Sequence, residues 1–166
     1  MSHSGINPYL TLTVAQILLR NRDGRYADLL RSIQNLATQT GQWPEAVHPQ
    51  TLGGCMGDGQ HVWAAAEWVL MIRNCFVREE EGKLIFCSGI LSEWLGENGE
   101  ACFGKAPTPY GDVQLLLRKQ GDVVHVAWEA QWRKTPSIEI QYPGTQPRIV
   151  QAGESSVTLH LEGSRL

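Results

Sequence analysis

Trp43-Pro44-Glu45-Ala46 sets a carboxylate two residues from an indole, with a proline between them. The proline ring holds its own φ near about −65° and so restricts the backbone that joins the two side chains. An indole offers a flat face to a sugar ring, and a carboxylate offers an acceptor for its hydroxyls. Paired with a second carboxyl group across a glycosidic bond, such a carboxylate can also act as a general base on water. His48, Asp58 and His61 follow in the same polar segment and can hydrogen-bond a polyhydroxylated ligand. Each residue also has a plainer reading. Glu45 caps a turn or bonds loop amides. Asp58 is the N-cap of the next helix, worth about 1 kcal/mol. His61 is a satisfied polar group on the first turn of an apolar helix. No acidic or cysteine partner stands at ligand spacing from His48 or His61, so no metal or cofactor is expected. Gly53, Gly54, Gly57 and Gly59 suggest a phosphate cradle, but Gln60 and His61 stand where that motif requires Lys and then Ser or Thr. Tight turns and close backbone approach account for these glycines better.

The elements around this segment follow from periodicity. Residues 8–20 read as a helix with Pro8 in its first turn and Leu10, Val14, Ile17 and Leu18 on one face. After the turn NRDG, a second helix covers about 25–38, and the short link makes the two an antiparallel hairpin. A third helix, about 59–77, is apolar on nearly every side, from Val62, Trp63 and Ala64 to Met71 and Ile72. Such a helix expects neighbours all round. Trp63 and Trp68 are assigned to core packing on different faces, and Glu67 must find a partner among its apolar neighbours. REEEGK, residues 78–83, reads as a solvated turn. Beyond it the period becomes alternating: KLIFCS, the two halves of DVQLLLRKQGDVVHVAWEAQW about a Gly-Asp turn, SIEIQYPG and SSVTLHLEG supply at least five antiparallel strands. SEWLG is a short helical turn. The prolines around Thr108 either stiffen a crossing into the next strand or present Tyr110 to a ligand. The fold class is α+β, with helices in 1–79 and an antiparallel, sandwich-like β-domain in 80–166.

Composition narrows the function classes. The chain has 166 residues, is 42% hydrophobic and 19% charged, and carries a net charge of −3. That balance is globular, and the scattered basic residues form no stripe for a nucleic acid. Cys55, Cys75, Cys87 and Cys102 make no C-x-x-C pair and read as reduced thiols, the last three of them in apolar surroundings. The longest apolar run is broken by Glu67 and is too short for a bilayer, so no membrane partner is expected. The opening MSHSGINPYL has no secretory pattern, and the expected compartment is the cytoplasm.

The segment GQWPEAVHPQTLGGCMGDGQHVWAAAEW resembles the C-terminal end of six-hairpin glycosidases, the (α/α)6 toroid enzymes, and in particular their amylo-alpha-1,6-glucosidase-like and glycogen-debranching-like members. SGILSEWLGENGEACFGKAPTPYGDVQLLLRKQGDVVHVAWEA resembles the β-domain that follows the toroid there. Together the likeness covers roughly residues 8–142. It implies a partial α/α toroid, made of a helical hairpin plus one buried helix, followed by the β-domain. It also implies that Glu45 is a candidate general base, with Trp43, His48, Asp58 and His61 around the substrate. A toroid needs six hairpins, and the sequence offers three helices. The expectation is therefore a C-terminal fragment or subunit of a glycoside hydrolase for α-glucosidic substrates, inactive alone. Its partners would be carbohydrate and either a separate chain bearing the missing hairpins or further copies in a homo-oligomer. The competing expectation is a non-catalytic carbohydrate-binding or self-associating module.

Overall fold

A computed structural model describes residues 5–57, 59–151 and 153–162. The chain is mixed α+β and divides into two compact units, one running up to Ile72 and the other beginning at Arg73. The division falls inside the third helix, upstream of the REEEGK segment.

The first unit opens with helix α1, Pro8–Arg20, and helix α2, Arg25–Asn35. Asn7 caps α1 by accepting the Leu10 amide at 3.3 Å, and Pro8 occupies the first turn, where its missing N–H costs nothing. The stripe that α1 buries is Leu12, Ala15 and Leu19, and α2 contributes Tyr26, Leu30 and Ile33. Leu10, Val14 and Ile17, the face expected to be core, are each about half exposed. Both stripes of α1 have helical spacing, and the one with Ala15 at its centre is the one buried. Strand β1, Ala46–Val47, and strand β2, Gly54–Met56, then pair antiparallel inside what reads as a loop. Helix α3, Val62–Phe76, follows. It is not buried all round: Ala64, Met71, Asn74, Cys75 and Phe76 are buried, whereas Val62 (79%), Trp63 (55%), Val69 (68%) and Leu70 (41%) are exposed.

In the second unit, strand β3, Val77–Glu80, turns at Glu81-Gly82 into strand β4, Lys83–Phe86. Both turn residues have positive φ, the requirement of a tight two-residue hairpin. The segment expected to be a solvated turn is thus a hairpin. Its Arg78 is wholly buried, hydrogen-bonded to Glu80, Ser88 and Gln141. A short helix α4, Ser92–Leu95, leads to strands β5, Glu100–Thr108, β6, Gly111–Gln120, and β7, Val123–Trp132. Strands β8, Ser137–Ile140, β9, Arg148–Ile149, and β10, Ser156–His160, complete the unit. One sheet has the order β10-β7-β6-β5 and is antiparallel throughout. The other has the order β3-β4-β8-β9 and is mixed, because β4 and β8 run parallel. Alternate residues Val113, Leu115 and Leu117 of β6 and Val124, Val126 and Trp128 of β7 are buried. Trp128 meets Phe86 of the other sheet edge-on at 5.9 Å, so both sheets supply one core. Cys75 and Cys87 are buried, but Cys102 lies exposed on an outer sheet face, against expectation. Tyr110 donates its hydroxyl to the Gly82 carbonyl, which gives the Pro-rich crossing a structural purpose.

Candidate functional site

The first unit builds its polar segment on three fixed points. Trp43 is buried, its Nε1–H donates to the Ile33 carbonyl at 2.8 Å, and its ring lies 5.3 Å from that of Trp68. The Trp43 carbonyl in turn accepts the His61 amide at 2.8 Å. The start of α3 is therefore tied to the start of the Trp43–Val47 segment. Val47 pairs with Ile6 through both backbone groups, each at 2.8 Å, which ties the same segment to the approach of α1. Gly57, at φ 75°, passes directly over Glu45: a Cβ there would stand 3.0 Å from the Glu45 Cβ and 3.1 Å from its amide nitrogen. Only glycine has both the conformation and the space at that crossing.

Within this frame Glu45 is half-buried. Among the described residues its carboxylate has no hydrogen-bond or ion-pair partner, so it caps no turn and bonds no loop amide. A carboxylate left with open acceptor sites in a half-shielded place is suited to a polyhydroxylated ligand or to a water. Trp43 cannot be the stacking surface expected of it, because its ring is spent on the core. His48 is also engaged: its Nδ1 accepts the amides of Gln50 and Thr51 at 3.3 and 3.2 Å, a turn-closing role that explains the residue without a ligand. Asp58 lies outside the described residues.

His61 belongs to a cluster that the sequence reading did not assemble. Its ring lies 5.1 Å from that of Tyr9, and Tyr9 stacks on Trp63 at 4.3 Å and 25°. The Nδ1 of His61 is buried and unpartnered. Glu67 accepts the Gln16 amide at 2.8 Å and the Trp63 indole N–H at 3.4 Å. Both partners are neutral groups, one on α1 and one on its own helix. The signal available in sequence was positional. Tyr9 and Trp63 each stand in the first turn of a helix, and the backbone bonds at Val47 and His61 bring those two helix starts to one end of the unit.

The second unit carries open hollows on the outer face of the β5–β7 sheet. One is lined by Lys105, Asp112, Gln114, Glu129 and Gln131, and a neighbouring one by Cys102, Gln114, His125 and Glu129 among others. Among the described residues, no three His, Cys, Asp or Glu side chains gather as a metal site would need, and no helix is long and apolar enough to cross a membrane. Comparison of the chain with protein-family models, with curated proteins and with solved structures finds no match to any of them.

Proposed function

We propose that this chain is the base-side portion of a glycoside hydrolase for α-glucosidic substrates, of the six-hairpin toroid class, followed in sequence by a β-sandwich-like domain. The observation that carries the reading is Glu45: a half-buried carboxylate, gripped by Gly57 and anchored through Trp43, that engages no group of the described chain. The exposed stripes of α1 and α3 support the same reading, since inner and outer helices of a toroid are covered by further hairpins. Hydrolysis with inversion needs an acid and a base on opposite sides of the scissile bond. Glu67, the other carboxylate near the cluster, is already engaged by Gln16 and Trp63, so this chain contributes the base side only. Alone, the chain then binds carbohydrate without cleaving it. That same observation favours the second reading, a non-catalytic carbohydrate-binding module, in which Glu45 only accepts hydroxyls.

The two readings part when a chain bearing the remaining hairpins is added. In the first, turnover of α-glucosides appears and Glu45→Gln abolishes it while leaving sugar affinity nearly unchanged, because the amide keeps the shape but cannot take a proton from water. Full turnover by the reconstituted Glu45→Gln protein would remove Glu45 from catalysis.

A further inference from the structure

Trp63 is too exposed for a core residue and too well anchored for an idle surface one. It is 55% exposed, yet Tyr9 backs it at a ring separation of 4.3 Å, and its indole N–H is directed to Glu67, which Gln16 holds at 2.8 Å. One face of the ring is thus supported, one edge is oriented, and the other face is open. Beside it His61 keeps a ring nitrogen without a partner. We infer that the open face of Trp63 is a stacking platform for one pyranose ring of a glucan, at the end of the unit that also holds Glu45. Glu67 accepts a hydroxyl from that sugar at the edge of the platform. The inference rests on the carbohydrate reading above and names the surface that replaces Trp43 within it. The 2.8 Å bond between the His61 amide and the Trp43 carbonyl holds the start of α3 and the segment that carries Glu45 at the same end of the unit.

The chemistry of the rim selects the occupant. A pyranose presents an apolar C–H face bordered by hydroxyls, and so needs a flat apolar surface with acceptors at its edge. A carboxylate has room for about four hydrogen bonds, and Glu67 accepts two from Gln16 and Trp63, leaving acceptor sites for a hydroxyl. An apolar segment laid over the ring would offer the remaining acceptor sites of Glu67 no donor, whereas a pyranose hydroxyl does.

The test uses the whole chain with its tryptophans fluorinated at the indole, the residue 63 resonance being assigned from Trp63→Phe. Maltohexaose is added to millimolar concentration, and binding is followed independently by saturation transfer to the sugar protons. The expected result is a shift of the residue 63 resonance that saturates with the sugar, and binding weakened by a few-fold to about tenfold in Trp63→Ala, the scale of a lost aromatic contact. Trp63→Phe should retain most of the affinity. Sugar binding with an unmoved residue 63 resonance would overturn the platform and leave the carbohydrate reading standing. No binding of sugar by the unsubstituted chain would bring down the carbohydrate reading itself. A residue 63 resonance that moves with protein concentration and not with sugar would overturn the platform by showing that its face is a contact between chains.

Discussion

Glu45 and Trp43 stand two residues apart and have opposite fates, and substitution separates them. Glu45→Gln removes no bond of the described structure, so the urea midpoint should stay within about 0.5 kcal/mol of the unsubstituted chain, as for other changes away from packed features. Trp43→Ala opens the core beside Ile33 and Trp68 and should cost about 3–5 kcal/mol in the same experiment. A large loss from Glu45→Gln would mean that the carboxylate is structural after all. The thiols divide in the same way. Burial pushes Cys75 up to about 12 and pushes Cys87 up as well, whereas Cys55 and Cys102 are exposed. The thiolate is the reactive form, so a disulfide reagent at neutral pH should label Cys55 and Cys102 in the folded chain and reach the other two only after unfolding. Rapid labelling of Cys75 in the native chain would contradict the packing described. At this scale the sequence made Glu45 legible as a candidate because its neighbours are stiff and aromatic. It could not show which indole is open, since Trp43 and Trp63 differ in burial only through residues distant in the chain.

Among the elements, α1 was legible to its end residues because Asn7-Pro8 and the NRDG turn punctuate it. Which face it buries was not. Leu10, Val14 and Ile17 share the spacing of the stripe that is used, and periodicity cannot rank two apolar faces of one helix. The β6–β7 hairpin announced itself through alternation and Gly121-Asp122. Strand β5 did not, because Gly104 and Pro107 mimic a loop. It lies at the edge of its sheet, where a missing N–H is tolerated. Strand β3 was hidden by its charges, for Arg78 is neutralised within the fold by Glu80 instead of by water. The parallel β4–β8 pair joins segments more than fifty residues apart, and no local pattern encodes it. The unpartnered stripes of α1 and α3 carry a prediction of their own. Apolar faces of this kind associate, so the chain should sediment as a dimer or larger at micromolar concentration. Leu10→Lys with Val14→Lys should shift it towards monomer without loss of helix content. A monomer at high concentration that binds no hydrophobic dye would refute this.

At the scale of the whole molecule, each unit keeps its own polar business. The second unit pairs several of its charges internally: Arg73 with Glu79 and the Pro107 carbonyl, Lys83 with Glu139, and Arg78 with Glu80 and Gln141. The first unit instead leaves a carboxylate, an imidazole nitrogen and an indole face unspent at one end. On the proposed reading these groups of the first unit take the ligand, and the β-unit has a supporting part. A single open platform with one or two acceptors binds weakly, and a dissociation constant of about 1 mM corresponds to roughly 4 kcal/mol. The most direct test is a calorimetric titration of the isolated chain with maltotriose and panose, with parallel measurement of newly formed reducing ends. The account predicts saturable millimolar binding that Glu45→Gln leaves nearly intact, and no cleavage. No saturable heat with any α-glucan oligosaccharide at up to about a hundred times that concentration, where a 1 mM site would be filled, would contradict the account, and so would glucose released by the isolated chain.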